Sequence, residues 1–382
     1  MRLQLTKNTE FIIERLEENG YDAFAVGGCV RDLIMGRIAD DFDITTSALP
    51  NETKNVFFDF PTIEIGIRHG TVAVILDKRP YEITTFRVES DYTDSRHPDS
   101  VEFVRDIESD LARRDFTVNA IAYSHTRGIV DPFGGIDDIK NKQIRAVGDP
   151  YKRFSEDALR ILRALRFSST LGFEIEKNTK EAIDSLAHTL KSVSPERVYT
   201  ELKKLLLGKN CQEVLNQFHS SLSKIIPMNG DYQSVYKCPA DEAMRFYCLC
   251  GDKTQDALLA VRADNNAKNV CKILSASKVI PENEIELKKY ISSLGKANAE
   301  TVIAYRRAVY DEDAEGKSIL LLKSGAPLFI SDLAVNGNDL LGIGVAPNNI
   351  GKVLSMLLNS VLENNSENTK EALLNKAKSQ IY

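Results

Sequence analysis

The chain of 382 residues lacks several things, and each shortage narrows what it can be. Its six cysteines (29, 211, 238, 248, 250 and 271) form no CxxC pair, and its five histidines occur singly. Such spacing argues against a zinc module or a disulfide framework and predicts reduced thiols in a cytoplasmic protein. No apolar run approaches the ~20 residues needed to cross a bilayer, so no membrane partner is expected. The N-terminal MRLQLTKNTEFIIERLEENG reads as an amphipathic helix stopped by glycine, not as a signal peptide. Positive charge is not in excess either: the formal net charge is −6. That argues against a protein that coats nucleic acid non-specifically, but it leaves room for a local basic groove that holds one structured RNA. Neither GxxxxGK[ST] nor GxGxxG occurs, which removes the P-loop and the dinucleotide fingerprint. There is no fixed-period repeat and no low-complexity tract.

What is present suffices for a large core and more than one domain: 43% of residues are hydrophobic and 27% charged. The first ~145 residues mix helix with short β-rich runs, DAFAV, DFDIT, GTVAVIL and YEITTFRV. The last two flank DKRP and read as a hairpin. After Asp149-Pro150 the pattern turns helical, with few strand signals. Soft boundaries fall near KSVSPERVYTEL and LKSGAPLFISDL. The fold class is therefore α+β: a small mixed-sheet head followed by an all-α remainder.

Three clusters carry chemistry. In DDFDITT, residues two apart on a strand project from one face at roughly 6–7 Å. Asp41 and Asp43 would then converge, and such a pair seats Mg2+, which prefers one or two carboxylates with waters and substrate phosphates. The same pair could instead be a solvated acidic turn. Just upstream, AVGGCVRDLI reads as strand, two glycines and helix start, with Gly28 and Arg31 placed to meet phosphate. In LARRDFTVNAIAY, Arg113, Arg114 and Asp115 are expected to open a helix with Val118, Ile121 and Ala122 buried. In EDALRILRALRF, one helical face collects Ala158, Leu159, Ile161, Leu162 and Leu165, and the other Glu156, Asp157, Arg160, Arg163 and Arg166. That second face uses arginine three times, and its planar fork suits flat groups with paired acceptors. Cytosine and adenine each place an amino donor beside a ring-nitrogen acceptor, whereas uracil and guanine show the reverse. An Asp157 acceptor beside an Arg160 or Arg163 donor would take C and A and refuse U and G, because the wrong base leaves buried groups unpaired.

GGCVRDLIMGR…DDFDITT, RRDFTVNAIAY, DPFGGIDDIKNKQIRAVGDPYKRFSEDALRILRALRF and PERVYTEL resemble, in order, the motifs of class II tRNA nucleotidyltransferases, the CCA-adding enzymes of the polymerase-beta-like and poly(A) polymerase superfamily. The likeness spans roughly residues 22–207, and LAVNGNDLLGIG…IGKVL…LEN…NTKEALL is similar to the tail of bacterial members. It implies a head (1–145), neck (146–207), body (208–325) and tail (326–382). It also implies tRNA, CTP and ATP as substrates, and in-line attack of the tRNA 3′-hydroxyl on the α-phosphate. Asp41 and Asp43 would hold Mg2+, with Glu82 as candidate third acid against plain cross-strand pairing. Gly28, Arg31 and Arg114 would meet the triphosphate, Asp157 and Arg160 would read the base edge, and Arg163 and Arg166 would complete the pocket. The polar stretch with Asp91, Asp94 and Arg96 implies full CCA addition, since relatives that add only CC tend to lack it. Ala158, where poly(A) polymerases tend to have proline, votes against poly(A) addition. A CC- or A-adding specialist, a poly(A) polymerase or a non-catalytic RNA-binding relative are the alternatives. No His-Asp dipeptide occurs, so the phosphohydrolase domain of some relatives is not expected. Arg197, Lys203, Lys204, Arg306 and Arg307 are candidate tRNA contacts. Monomer and homodimer stay open.

Overall fold

The computed structural model describes residues 2–39, 41–66, 70–90, 100–228, 230, 232–364 and 367–379. Asp40, Asp91, Asp94 and Arg96 lie outside them. The chain divides into two compact units: residues 1–227 with 260–262, and residues 228–259 with 263–382.

The first unit opens with helix α1, Lys7–Glu18, capped by Thr6, whose side chain accepts from the Thr9 amide. Ile12, Ile13 and Leu16 recur at helical spacing and are buried. Eleven strands follow in this unit among the described residues: β1 Ala23–Val26, β2 Asp43–Thr46, β3 Thr62–Glu64, β4 Thr71–Leu76, β5 Arg79–Thr85, β6 Arg87–Ser90, β7 Ser100–Phe103, β8 Ala122–Ser124, β9 Gly128–Val130, β10 Gln143–Ile144 and β11 Glu174–Ile175. The main sheet runs β3-β4-β5-β2-β1-β8-β9. It is mixed, since β2 and β5 run parallel and the other pairs antiparallel. β4 and β5 form the expected hairpin, and Asp77 and Lys78 at its turn both have positive φ, which matches the strand twist. YEITTFRV is broken at Phe86, so its end forms β6, which pairs with β7 in a separate ribbon.

Helices α2 (Gly28–Ile34), α3 (Pro50–Val56), α4 (Ile107–Ala112) and α5 (Gly135–Lys140) complete the head. Its core gathers Phe24, Val26, Phe86, Leu111, Ala120 and Ala122. Helices α6 (Pro150–Glu156), α7 (Leu159–Leu171), α8 (Lys177–Leu186) and α9 (Pro195–Leu207) continue the unit. Asp149 caps α6, with Pro150 in its first turn.

The second unit is helical, around a core that includes Leu287, Ile291, Ile303, Leu340, Leu357 and Leu373. The expected strong tail helix is there, Ile350–Leu362. Among the described residues no helix is long and apolar enough to cross a membrane.

Candidate active site

The acids sit where strand β2 begins. Only Asp43–Thr46 pairs as strand, so the regular strand is shorter than expected, yet residues 41 to 44 already alternate exposed, buried, exposed, buried. Phe42 and Ile44 enter the core, which turns Asp41 and Asp43 to the same open side. Their charges interact. Protein packed around Asp43 raises its pKa, the Arg114 guanidinium opposes that, and the neighbouring Asp41 pushes it up further.

The register brings three more groups beside them. Asp43 pairs with Val26, the last residue of β1, so the glycine turn starts level with the acids. Gly27, not Gly28, takes the special conformation there, with φ +81, and its amide donates to the Ile121 carbonyl at 3.1 Å. Gly28 is the first residue of α2. Ile44 pairs with Ile83 across the parallel β2–β5 ladder, which puts Glu82 next to Asp43 on the same face. Asp43, Glu82, Thr45, Thr84, Arg87, Arg113 and Arg114 line one cleft of about 200 Å³. Among the described residues no three His, Cys, Asp or Glu side chains are gathered as a ready metal site. The acids therefore stand as a close pair with a flanking glutamate. That donor set suits a hard cation completing its shell with water and phosphate oxygen.

Arg113 to Asp115 close helix α4 rather than open a helix, which corrects the expectation from periodicity. Val118, Ile121 and Ala122 are buried as expected, but in a short 3-10 turn and strand β8. Asp106 caps α4 and six residues later the chain leaves it, so the helix is spent before the arginines. Arg114 Nη1 lies 3.1 Å from where a Cβ on Gly27 would sit, so its guanidinium covers the glycine turn. Its Nε is buried without a hydrogen-bond partner.

Arg31 is buried (7% exposed) and clamped. Nε and Nη2 both donate to the Asp32 carboxylate at 3.0 Å, and Nη1 donates to Asn119 Oδ1 at 2.6 Å. Asn119 Nδ2 donates to Asp115 Oδ1 at 3.2 Å, and Arg163 Nε donates to Asp115 Oδ2 at 2.7 Å. Burial alone would raise the Asp115 pKa, but Arg163, then Asn119 and Arg160, hold it below the usual carboxylate range. A chain of charge-assisted bonds thus joins the glycine turn to α7.

EDALRILRALRF is not one helix. Asp157 is extended (φ −145, ψ 105) between α6 and α7, so Glu156 and Asp157 leave the helical wheel. Its carboxylate accepts from the Leu159 amide at 3.0 Å, an aspartate acting as a cap. The other oxygen accepts from Arg197 at 2.7 Å. Arg160 does not pair with Asp157: its Nη1 donates to Glu156 at 2.5 Å and to the Arg153 carbonyl at 2.9 Å. Arg166 pairs with Glu201 at 2.6 Å and lies 3.7 Å over the Phe167 ring, which Arg31 and Arg163 also flank at 5.4 Å. The apolar face of α7 is buried as expected, but the arginine face is no solvated stripe. It is packed against the end of α4 and against α9.

Asn119, Glu201 and Arg197 enter the site from outside the expected set. Arg197 is a candidate tRNA contact by sequence, and its spacing carries no sign of its Asp157 partner forty residues upstream. Asn119 and Glu201 lie within RRDFTVNAIAY and PERVYTEL, but local pattern alone gave neither a partner. Arg306 and Arg307 in the second unit are committed to Glu312 (2.5 Å) and Asp313 (3.5 Å).

Residues 23–145 match the poly A polymerase head domain family, and residues 172–221 match a family described as a probable RNA and SrmB-binding site of polymerase A. The CCA-adding enzyme of Ligilactobacillus salivarius (strain UCC118) is 38% identical over 394 residues, covering 96% of this chain and 95% of that protein. The CCA-adding enzyme of Geobacillus sp. (strain WCH70) is 37% identical over 381 residues, covering 95% and 94%. In three dimensions the chain is similar to the Bacillus stearothermophilus CCA-adding enzyme solved in complex with CTP, at 33% identity, 97% coverage of each chain and a TM-score of 0.78. It shares its fold with the Thermotoga maritima CCA-adding enzyme complexed with tRNA, at 20% identity and a TM-score of 0.72 over both whole chains. The chain belongs to the class II CCA-adding enzymes, tRNA nucleotidyltransferases of the poly(A) polymerase superfamily.

Proposed function

We propose that this enzyme adds C, C and A to the 3′ end of tRNA from CTP and ATP at the β2 cleft, with Asp41 and Asp43 as the catalytic carboxylates. The supporting observation is their coupling on one face of β2, level with the Gly27 turn and beside Glu82. The donor set fits Mg2+: two hard carboxylates repel each other, and a divalent cation between them relieves that repulsion. When bound there, Mg2+ would supply Lewis-acid stabilisation of phosphoryl oxygens and lower the pKa of a coordinated hydroxyl.

The chain's own groups do the rest. Gly27 lets the backbone approach the phosphates, and Gly28 opens α2 beside them. Arg114, with donors left over, faces the charge that builds on the leaving pyrophosphate, while Arg31 is held rigid against Asp32 and Asn119. Glu82 is the third acid of the cleft. The tRNA 3′-hydroxyl gives up its proton to water as it attacks the α-phosphorus in line, the bond from that phosphorus to the bridging oxygen breaks, and pyrophosphate leaves with that bond's electron pair.

Asp157 and Arg160 are assigned to the base edge, with Arg163 and Arg166 completing the pocket. Asp157 retains lone pairs beyond those given to Leu159 and Arg197, so it can still accept from the exocyclic amino group of C or A. Residues 1–145 would serve as head, 146–207 as neck, 208–325 as body and 326–382 as tail, the helical parts holding tRNA. Six free buried thiols suit a reducing cytoplasm.

The test is incorporation of each labelled nucleotide into tRNA trimmed of its 3′ end. Sequential C, C and A is the expected result, and incorporation of A alone or long A tails would overturn it.

A further inference from the structure

The reaction described above makes no use of Asp110, yet this residue in the last turn of α4 is fully buried (0% exposed). A carboxylate taken out of water must be matched by donors, and the donors it gathers all belong to the cleft. Arg113 donates to Oδ1 through Nε at 2.9 Å, with Nη2 also at 2.9 Å. The backbone N–H of Arg87, first residue of β6, donates to the same oxygen at 3.3 Å. Arg114 Nη2 reaches Oδ2 at 3.5 Å. Arg87, Arg113 and Arg114 are the three arginines that line the cleft with Asp43 and Glu82.

Two adjacent guanidiniums repel each other where water is scarce. A shared carboxylate beneath them cancels one charge, fixes their spacing and leaves the other charge for an incoming anion. The state of Arg114 agrees with this independently: its Nε is buried with no partner, and its Nη1 hangs over the Gly27 turn. A buried donor without a partner is tolerated where a ligand supplies the missing acceptor.

We infer that Asp110 is a positioning residue for the triphosphate, aiming Arg114 across the glycine turn, holding Arg113 beside it at the cleft and tying the start of β6 to the same point. The inference rests on the reading above, that the β2 cleft takes the triphosphate. The bonds of Asp110 run to Arg87, Arg113 and Arg114, whereas those of Asp157 run to Leu159 and Arg197, so removal of Asp110 acts on phosphate affinity and spares base choice.

The experiment is steady-state incorporation of C and A by Asp110→Asn on trimmed tRNA, with inorganic pyrophosphate as inhibitor and U and G as competitors. Loss of one charge-assisted contact should raise KM for CTP and ATP, and Ki for pyrophosphate, roughly tenfold or more. The preference for C and A over U and G should be unchanged. A residue that only stabilises the fold would lower the melting temperature and leave KM and the pyrophosphate Ki of the folded fraction as in wild type, which overturns the proposal. A change in base preference as large as the change in KM overturns it too. If Asp110→Asn does not fold, Asp110→Glu, which keeps the charge but displaces it, should show a smaller rise in both constants. Failure of both variants to fold would make Asp110 structural and end the proposal. Wild-type protein that incorporates nothing would instead bring down the underlying reading, so the two failures are distinguishable.

Discussion

Asp43 illustrates how a catalytic side chain is held against its own preference. Burial and the Asp41 charge raise its pKa above the ordinary 3.8, and Arg114 only partly offsets them. A carboxyl whose folded-state pKa is raised stabilises the fold while protonated; that contribution is complete below the unfolded pKa and lost as pH rises through the folded one. Once ionised, Asp43 therefore costs stability until a cation arrives. Asp43→Asn should melt at a higher temperature than wild type in a chelator, while incorporation falls about a thousandfold with the metal's several kcal/mol of stabilisation. The half-saturating Mg2+ concentration should also climb as pH falls, beginning above 3.8, because protons compete for a carboxyl that holds them well. A metal requirement that stays flat down to that pH would show that burial does not raise the Asp43 pKa. At this scale the acids were readable from DDFDITT, since alternation alone turns residues 41 and 43 to one side. The partners of Arg163, Arg166 and Asp157 were not, because Asp115, Glu201 and Arg197 approach from distant segments.

Among the elements, the glycine turn shows what local pattern can and cannot say. GG after a short apolar run marks a strand-to-helix turn, but which glycine bears the strain depends on where β1 ends. It ends at Val26, so Gly27 takes φ +81 while Gly28 is helical. Gly27→Ala meets two obstacles, a left-handed backbone and Arg114 Nη1 at 3.1 Å. It should cost about 1 kcal/mol or more in urea unfolding from the backbone alone. Gly28→Ala, with only an ordinary 3.6 Å contact to Arg31, should be milder in both stability and activity. Equal effects of the two would mean the turn is not conformationally special. The helix breaks at 113–117 and at Asp157 escaped the 3.6-residue pattern for one reason. Apolar spacing persisted across both, while Asp115 and Asp157 each accept from a nearby backbone amide that a continuous helix would have used.

For the whole molecule, two units with their own cores predict more than one unfolding step. Scanning calorimetry should resolve two transitions, and CTP should shift only the one belonging to the first unit, by linkage. A single transition with equal calorimetric and van't Hoff enthalpies would contradict that division. No disulfide enters this balance. All six cysteines are free and buried, and burial pushes the thiols of Cys29 to about 11 and of Cys238 and Cys271 to about 12.

Taken by itself, the order of residues determined the mixed-sheet head, the helical remainder, the paired aspartates and the family, because strand alternation, helical periodicity and motif spacing are local properties that survive in one dimension. Tertiary structure alone decided which charged groups meet across distant segments, why Asp110 and Asn119 matter, and where the helices around the site stop. Those outcomes depend on which charges share a space shielded from water, and that space exists only once distant strands and helices have closed around it.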